Sequence, residues 1–436
     1  MNVRIGIRRE DKNPWERRVP LIPTHVRELI HQHSLEIWLQ PSVIRIFPDK
    51  DYIKEGAKIA EDLSRCSIIL AVKEIPLDFF EKEKVYLFFS HTTKGQTHNM
   101  SMLKRMIEQK CTLLDYEKIV DKEGFRLVLF GRHAGLAGMI DTLWALGQRL
   151  NWENIENPFS QIKQAFEYKS LIEAKEEVDK VGWKIDQEGL DSTLTPLICG
   201  FAGYGNVSQG AQEIFDLLPF EEVIPQQISV FYREKNYSAH KIYKVVFKEE
   251  HMVAPVSSRE EFDLQDYYQN PQKYKPVFES YLPYLTVLVN CVYWESKYPK
   301  FVTKKFLKEL YEINSLPRLR VIGDISCDIE GSVECTVKAT SPDNPVFTYD
   351  PLKEEAKDGF DGRGPVIMAV DNLPAEISLE SSISFSLILK CLIPGLVTAD
   401  FNSDFAECGL PDSLQKAVIL YKGKFTPDYS YMKKFI

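Results

Sequence analysis

Short apolar segments alternate with segments of helical spacing from the start of the chain, and this alternation limits the fold more than any other feature. Five of the apolar segments predict β-strands: residues 3–7, 36–40, 67–72, 85–89 and 111–115. Stretches with helical spacing, such as PTHVRELIHQH, separate most of them. Strand–helix alternation implies parallel β/α units, so the pattern predicts an α/β fold with an open parallel sheet and helices on both faces.

A second series of strands and helices follows, from about Leu194 to about residue 350. Before it, residues 131–150 predict an amphipathic helix, and residues 151–190 predict a polar helical join between two units. After it, KDGFDGRGP (357–365) predicts a loop, and we expect a helical tail beyond it. A chain of 436 residues has room for two or three domains.

Composition excludes several classes of protein. The net charge of −9 and the lack of a dense Lys/Arg cluster argue against nucleic-acid binding. No run of about 18 uninterrupted apolar residues predicts a membrane span, and MNVRIGIRRE lacks the apolar core of a secretory signal. The eight cysteines include no CxxC pair, which predicts reduced thiols rather than disulfides or a zinc site. We therefore expect a cytoplasmic protein with no metal site and no nucleic-acid or membrane partner.

The segment LTPLICGFAGYGNVSQGAQEIFDLLP (194–219) has the pattern of a strand, a glycine turn and a helix. Gly203 permits a tight turn, and Gly205 lets the backbone approach a phosphate. A pyrophosphate binds at such a turn because free backbone N–H groups and the positive end of the helix point at it. Ser208 replaces the third glycine of GxGxxG, and Gly210 follows two residues later. The pattern favours dinucleotide binding, with a plain strand-to-helix turn as the alternative.

The preference between NAD and NADP is open in the sequence. An acidic residue about 20 positions after the glycine turn often binds the ribose of NAD. Glu221 and Glu222 lie near that distance, but the sequence leaves open whether they precede the second strand or end it. We therefore expect either nucleotide.

Polar side chains follow three predicted strands of the first series at the point where each strand ends. They are Lys73, Glu74, His91, Lys94, Gln96 and Glu117. Arg17 and Arg18 lie in the loop after the first strand. Ligands of open α/β sheets bind outside the carboxyl ends of the strands, so these groups are expected to converge on one crevice. A lysine beside other cations and a histidine both exchange protons near neutral pH, and an arginine fork suits a carboxylate. The alternative is that each charged residue only opens a loop.

Two later segments also place polar residues after apolar strands. In RVIGDISCDIEGS, Asp324 and Asp328 would hold a ribose or orient an ammonium group, and a helix cap or turn is the equal alternative. In MAVDNLPAE, an apolar run is closed by Asp371, Asn372 and Pro374. This second segment is expected to be a strand-to-helix turn.

Taken together, these motifs resemble one known family. The chain is similar to the lysine–2-oxoglutarate reductases, the lysine-forming saccharopine dehydrogenases, in WERRVPLIPTHV, VKEIP, FSHTTKGQ, LLDYEKIVD, FGRHAGLAGMID, GYGNVSQGAQEIFDLLP, VNCVYWESKYPKFVT, GDISCDIEGSVECT and DNLPAE. These segments occur in the same order over about residues 3–376. The family is a branch of the alanine dehydrogenase/transhydrogenase superfamily.

The resemblance implies an α/β protein of two Rossmann-like domains with parallel sheets and a cleft between them. A discontinuous substrate domain would take residues 1–132 plus 375–436, and a dinucleotide-binding domain would take residues 133–374. The implied reaction is the reductive condensation of L-lysine and 2-oxoglutarate to saccharopine, or its reverse. The implied cofactor is NADP(H) or NAD(H).

Site residues follow from the resemblance by motif position. Lys73 and His91 match the acid–base pair of the family, and Arg18 matches the arginine that binds a substrate carboxylate. The other substrate-site positions are Glu74, Lys94, Gln96, Glu117 and Arg126. The cofactor positions are Gly203, Gly205, Asn206, Val207, Ser208, Asp324, Asp328 and Asn372. The sequence departs from the family after DNLPAE, where ISLESS stands in place of a proline-containing stretch.

Two other functions stay open. The first is a related amino-acid dehydrogenase such as alanine dehydrogenase, or an opine-type reductase, although VNCVYWESKYP and LLDYEKIVD favour the saccharopine branch. The second is a cofactor-binding regulatory module without catalysis, which the presence of both Lys73 and His91 disfavours. The oligomeric state and the direction of the reaction are not predicted.

Overall fold

A computed structural model of the chain describes residues 3–436. Numbered along the chain, the strands are β1 (Arg4–Ile7), β2 (Glu36–Leu39), β3 (Lys58–Ile59), β4 (Ile68–Leu70), β5 (Val85–Phe88), β6 (Thr112–Asp115), β7 (Leu197–Ala202), β8 (Phe220–Glu222), β9 (Ile242–Phe247), β10 (Val253–Pro255), β11 (Tyr274–Pro276), β12 (Val287–Asn290), β13 (Val321–Asp324), β14 (Val346–Asp350), β15 (Glu355–Asp358), β16 (Val366–Met368), β17 (Val418–Tyr421) and β18 (Lys424–Phe425). The α-helices are α1 (Pro23–His33), α2 (Asp49–Lys54), α3 (Met100–Glu108), α4 (Gly131–Trp152), α5 (Leu171–Glu188), α6 (Asn206–Phe215), α7 (Ile228–Glu234), α8 (Glu249–Met252), α9 (Leu264–Gln269), α10 (Lys304–Ile313), α11 (Ser378–Thr398) and α12 (Asp412–Gln415).

The chain forms two compact units. Unit 1 extends to Phe130 and resumes over Ser378–Ile436, and unit 2 is Gly131–Ile377. The expected domain boundaries, after residues 132 and 374, lie close to these positions. The assignment of substrate binding to unit 1 and of cofactor binding to unit 2 stays a prediction.

Unit 1 contains an eight-stranded sheet in the order β18-β17-β6-β5-β4-β1-β2-β3. Strands β1 to β6 pair in parallel. The five predicted strands of the first series correspond to β1, β2, β4, β5 and β6, and are confirmed. β4, β5 and β6 are buried along their whole length, as expected for parallel strands covered on both faces.

The prediction of a helical tail is wrong in part. α11 begins the tail, but β17 and β18 form an antiparallel hairpin near the end of the chain. Its two turn residues, Lys422 and Gly423, have φ of 49° and 75°, as a tight hairpin turn requires. β17 also pairs antiparallel with β6, so the tail extends the sheet of unit 1 at one edge.

Unit 2 contains a second eight-stranded sheet, in the order β15-β14-β16-β13-β12-β7-β9-β8. It is parallel from β8 to β16, and β14 and β15 are antiparallel at one edge. The predicted α/β class with two Rossmann-like parallel sheets is confirmed. The chain passes from β7 to β9 on one side and later to β12 on the other, which makes the end of β7 a switch point where ligands bind. The segment 357–365 is a loop only in part, because Lys357 and Asp358 belong to β15.

α4 is buried on most of its faces, which corrects the prediction of an amphipathic helix over residues 131–150. Even the polar Asp141 has no exposed surface. The reason is close packing against α6: a Cβ on Gly135 would lie 1.9 Å from the carbonyl oxygen of Val207, and one on Gly210 would lie 2.1 Å from that of Arg132. Gly210 therefore gives the close packing that the third glycine of a GxGxxG turn usually gives.

One helix among the described residues, α11, is long and apolar enough to cross a membrane by length and composition, with a mean hydropathy of 1.6 over an 18-residue window. Its Phe385, Leu389 and Ile393 are buried in the hydrophobic core of unit 1. The core helix of a soluble protein passes the same test, so α11 is weak evidence for a membrane span. The expectation of no membrane partner stays a prediction.

Candidate active site

The carboxyl ends of β1, β4, β5 and β6 are neighbours in the sheet of unit 1 and carry most of the predicted substrate-site residues. Lys73 follows β4, His91 follows β5, Glu117 follows β6, and Arg18 lies in the loop after β1. Parallel strands end at the same edge of a sheet, and this is the reason that strand-end positions in the sequence become neighbours in space. The loops therefore meet at one edge of unit 1.

Lys73 is mostly buried, and no carboxylate among the described residues forms an ion pair with its ammonium group. Burial, together with the nearby Arg18 guanidinium and the Lys12 ammonium, lowers the pKa of Lys73. Its backbone N–H donates to one carboxyl oxygen of Glu10 at 2.9 Å, and that of Val72 donates to the other at 2.7 Å. Glu10 thus fixes the backbone at the end of β4. A lysine with a lowered pKa accepts protons closer to neutral pH than an exposed lysine does.

The imidazole of His91 is held by the carboxylate of Glu74. His91 Nδ1 lies 2.7 Å from Glu74 Oε1, and Lys12 Nζ donates to Glu74 Oε2 at 2.7 Å. Burial alone would raise the pKa of Glu74, but these hydrogen bonds from His91 and Lys12 lower it well below its ordinary value. An ionised Glu74 accepts the Nδ1 proton, which makes Nε2 the ring nitrogen that exchanges protons with a ligand. His91 has a left-handed φ of 46°, and Asn99 Nδ2 donates to its carbonyl oxygen at 3.1 Å.

Arg18 is only 3 % exposed and pairs with the fully buried Glu16 through two hydrogen bonds of 2.8 and 2.7 Å. Its guanidinium carbon lies 4.6 Å from the centroid of the Phe130 ring. The next residue, Val19, donates its N–H to the hydroxyl of Ser382 on α11 at 3.0 Å. The ISLESS segment, which departs from the family pattern, therefore supports the loop of Arg18. One edge of the guanidinium faces Glu16, and the role of Arg18 in binding a substrate carboxylate stays a prediction.

Of the other four predicted substrate-site residues, Lys94 and Arg126 are exposed, and Gln96 and Glu117 are half-buried. Arg126 Nη2 lies 3.8 Å from Glu117 Oε1, which is a long distance for an ion pair. Lys94 is exposed, and its backbone N–H donates to Gln96 Oε1 at 3.0 Å. Among the described residues, no hydrogen bond or ion pair joins these four side chains to the predicted acid–base pair. Their substrate roles stay predictions.

Sequence reasoning did not identify Glu10, Lys12, Glu16 or Asn99 as neighbours of the site. Burial and the charge of Glu16 raise the pKa of Glu10 to about 7. Glu10 and Lys12 follow β1, so the strand-end argument that selected Lys73 would have selected them as well. Glu16 lies inside the motif WERRVPLIPTHV. Asn99 has no signal in the sequence, because it reaches the loop after β5 from a short 3₁₀ turn before α3.

In unit 2 the glycine turn lies at the carboxyl end of β7. Gly203 has a φ of +94°, which favours glycine, and its N–H donates to the carbonyl oxygen of Phe247 at 2.9 Å. A Cβ at this position would lie 3.3 Å from the carbonyl oxygen of Cys291. Gly205 is the N-cap of α6 without a side-chain cap, and a Cβ on it would meet nothing within 4 Å. Open space at the uncapped end of a ten-residue helix fits the pyrophosphate of a dinucleotide.

Asn206, Val207 and Ser208 form the first turn of α6, whose backbone N–H groups have no partner inside the helix. The Ser208 side chain is fully buried: its hydroxyl accepts a hydrogen bond from Gln212 Nε2 at 2.9 Å and also bonds with the thiol of Cys291. The side chain of Ser208 is therefore structural. The cofactor role of its backbone N–H stays a prediction.

The predicted cofactor residues after β13 and β16 have different surroundings. Asp324 is 1 % exposed, and its carboxylate accepts hydrogen bonds from three neighbouring residues. Asp328 and Asn372 are half-buried residues in the turns that follow β13 and β16. The cofactor roles of all three stay predictions, and the burial of Asp324 favours a structural role for it.

Comparison with known proteins finds a family model and several relatives by sequence. Residues 6–137 match a family model described as alanine dehydrogenase/PNT, N-terminal domain. The chain is 39 % identical to the alpha-aminoadipic semialdehyde synthase of Arabidopsis thaliana, over 99 % of this chain and 41 % of that protein. It is 33 % identical to the alpha-aminoadipic semialdehyde synthase, mitochondrial, of Bos taurus, over 99 % of this chain and 47 % of that protein. The chain thus spans less than half the length of these two relatives.

A fungal relative matches over most of both chains. The saccharopine dehydrogenase (NAD(+), L-lysine-forming) of Emericella nidulans is 27 % identical, over 90 % of this chain and 91 % of that protein. Among solved structures, an L-alanine dehydrogenase matches with a TM-score of 0.62 and 14 % identity over 100 % of both chains, which shows the fold. The resemblance predicted from the motifs is confirmed by these relatives.

Proposed function

We propose that this chain is an NAD(P)H-dependent reductase that condenses L-lysine with 2-oxoglutarate to saccharopine, or catalyses the reverse reaction. The observation that carries the proposal is the arrangement of Lys73, Glu74 and His91: a mostly buried ammonium with a lowered pKa follows one strand, and an imidazole held by a carboxylate follows the next. A fungal relative matched over most of its length is named as a lysine-forming saccharopine dehydrogenase, which supports the same assignment. Unit 1 would bind the substrates and unit 2 the nucleotide.

The first chemical task is deprotonation of the substrate amine. The ε-amine of lysine has a pKa near 10.4 and is protonated at neutral pH, so it must lose a proton before it attacks a ketone. Lys73 would accept that proton, because burial and neighbouring cations favour its neutral form. The amine then forms a C–N bond with the keto carbon of 2-oxoglutarate as the C=O π bond breaks, and a proton passes from the new ammonium nitrogen to the former ketone oxygen to give a neutral carbinolamine.

The second task is the loss of water. His91 Nε2 would donate a proton to the leaving hydroxyl, and Glu74, ionised and bonded to Nδ1, would stabilise the imidazolium that donates it. Loss of water leaves a protonated imine, and hydride that a reduced nucleotide would supply when bound converts it to the secondary amine of saccharopine. Arg18 would bind a carboxylate of the keto acid, because its fork matches a carboxylate geometrically.

Unit 2 would hold the nucleotide through backbone groups. The N–H groups of Asn206, Val207 and Ser208 would bind the pyrophosphate at the end of α6. Gly203 and Gly205 keep side chains away from that position. The absence of a side-chain cap on α6 supports this assignment, because helix ends without caps need another partner.

The proposal is tested by nucleotide oxidation with defined pairs of substrates. Absorbance at the reduced-nicotinamide band is followed with L-lysine plus 2-oxoglutarate, and separately with ammonia plus pyruvate. We expect turnover with the first pair. Turnover with only the second pair would contradict the substrate assignment and support the alanine dehydrogenase alternative, and nucleotide binding without any turnover would support a regulatory module.

We also propose a cytoplasmic location. All eight cysteines are free thiols, which fits a reducing compartment. The name of the Bos taurus relative includes the word mitochondrial, so the mitochondrial matrix is the competing location. Fractionation of cells that express the full-length gene product separates the two.

A further inference from the structure

The end of β9 is the position in unit 2 that faces the adenosine ribose in a dinucleotide fold. β9 is the parallel neighbour of β7, with Ala202 opposite Phe247 in the register. In such folds the residue after this second strand lies beside the ribose 2′-oxygen. Glu221 and Glu222, the acidic pair considered in the sequence, belong instead to β8, with β9 between them and β7. The residue at the ribose position is therefore Lys248.

The surroundings of Lys248 favour the binding of an anion by its side chain. It is exposed, and its Nζ lies 5.9 Å from the ring centroid of Tyr204, a residue of the glycine turn. Within the part of the chain that the structure describes, no carboxylate forms an ion pair with it. Its backbone N–H donates to Nδ1 of His251 at 3.0 Å, which fixes the start of α8. The cation is thus placed at the glycine turn, over the ring of Tyr204, and no carboxylate among the described residues pairs with its charge.

The carboxylate of Glu249, the residue after Lys248, already forms hydrogen bonds within the protein. Glu249 Oε1 accepts a hydrogen bond from the hydroxyl of Tyr268 at 2.7 Å, and Glu249 also hydrogen-bonds with Tyr204. A carboxylate that binds two tyrosine hydroxyls has fewer acceptor positions left for the two ribose hydroxyls of NAD. The position therefore favours a ligand that brings its own negative charge to Lys248.

We propose that Lys248 makes unit 2 selective for the 2′-phosphorylated dinucleotide, NADP(H), over NAD(H). The inference rests on the proposed function only in that a dinucleotide binds at the glycine turn. The Lys248 ammonium would donate charge-assisted hydrogen bonds to the 2′-phosphate. In NAD(H) the same side chain faces a neutral hydroxyl and gains little. The discrimination thus comes from one cation at the end of β9.

The test compares nucleotide binding, without any second substrate, in the whole chain. Dissociation constants for NADPH and NADH are measured by calorimetry for the parent, for Lys248→Ala, and for Lys353→Ala as a control. Lys353 is an exposed lysine between β14 and β15, at the opposite edge of the same sheet. We expect the parent to bind NADPH more tightly, and Lys248→Ala to weaken NADPH about tenfold or more, the scale of one charge-assisted bond. NADH binding should be unchanged in both variants.

Two results would overturn the inference: tighter binding of NADH by the parent, or equal effects of Lys248→Ala on the two nucleotides. Either result leaves the proposed function standing if lysine and 2-oxoglutarate still support turnover. Conversely, a selective loss of NADPH binding in Lys248→Ala supports the inference even if the substrate pair proves wrong. Failure of the parent to bind either nucleotide would overturn both. High salt should weaken NADPH more than NADH, because the extra contact is ionic.

Discussion

The buried carboxyl of Asp324 allows a quantitative prediction about the stability of unit 2 and its dependence on pH. At the end of β13, Asp324 Oδ1 accepts hydrogen bonds from Asn290 Nδ2 at 2.8 Å and from the N–H of Cys327 at 3.2 Å. Its Oδ2 accepts from the hydroxyl of Thr336 at 2.5 Å. No lysine or arginine among residues 3–436 forms an ion pair with it. Burial raises the pKa of Asp324 to about 6 despite these hydrogen bonds.

The raised pKa of Asp324 determines the direction in which its contribution to stability changes with pH. The folded state holds the proton of Asp324 more tightly than the unfolded chain, whose carboxyl titrates near the ordinary value of 3.8. The contribution of Asp324 to the free energy of unfolding therefore falls as the pH rises from about 4 to about 6, and it stays lower above that window. A shift of about two units corresponds to about 3 kcal/mol, at about 1.4 kcal/mol for each unit. This is the largest effect that the ionisation of one such group would have.

The variant Asp324→Asn removes the charge and keeps the geometry. The amide oxygen can accept from Asn290 and Cys327, and the amide N–H can donate to Thr336, whose hydroxyl rotates to accept. We expect the variant to be more stable than the parent at pH 8 by up to about 3 kcal/mol. The difference should shrink as the pH falls from 6 towards 4. Urea unfolding at fixed pH values, followed by tryptophan fluorescence, measures it.

Asp179→Asn is the matched control, because Asp179 is exposed on α5 in the same unit. It should leave the pH dependence of the parent unchanged. An Asp324→Asn variant with the pH dependence of the parent, or one that is less stable at pH 8, would refute the reasoning. If Asp324→Asn instead lost NADPH affinity at unchanged stability, Asp324 would be a cofactor contact, as the family resemblance implies.

Three further predictions concern the proposed site. Lys73→Met and His91→Gln should each lower turnover about 10²-fold or more with nucleotide affinity intact, measured by steady-state kinetics and calorimetry; parent turnover in either variant would remove that residue from the mechanism. Arg18→Gln should raise KM for 2-oxoglutarate more than it lowers kcat, because a ground-state carboxylate contact is lost; an unchanged KM would contradict the role. Gly203→Ala should weaken nucleotide binding severalfold, as measured by calorimetry. The reason is that φ is +94° at this position and the new Cβ would lie 3.3 Å from the carbonyl oxygen of Cys291. Unchanged affinity would show that the turn does not bind the nucleotide.

Most of the fold could be predicted because local pattern and global topology agree. The strands of unit 1 are short apolar runs, and the rule that parallel strands end at one edge places Lys73 and His91 on neighbouring loops. The tail was mispredicted although its hairpin has a sequence signal. In VILYKGKF, the apolar run VILY is followed by a Lys422–Gly423 turn and then by Lys424 and Phe425, and a glycine-containing two-residue turn after such a run is typical of a hairpin.

Other features depend on strand order, which the sequence does not state. Glu221 and Glu222 lie at the expected distance from the glycine turn, but β8 is an edge strand and β9 takes the place beside β7. The pairing of Arg18 with Glu16 likewise needs a buried loop that brings the two side chains into contact. Spacing along the chain predicts which strand ends carry polar residues. It does not predict which of those residues form hydrogen bonds or ion pairs with one another.

The proposed reaction joins lysine to 2-oxoglutarate and reduces the product with hydride from the nucleotide. Its most direct test uses reduced nucleotide deuterated at the transferable C4 position, with lysine and 2-oxoglutarate, and mass spectrometry of the products. We expect saccharopine with one deuterium on the carbon that was the ketone of 2-oxoglutarate, and about 10²-fold less of it from Lys73→Met. Deuterium found in glutamate or 2-hydroxyglutarate, with no labelled lysine adduct, would contradict it.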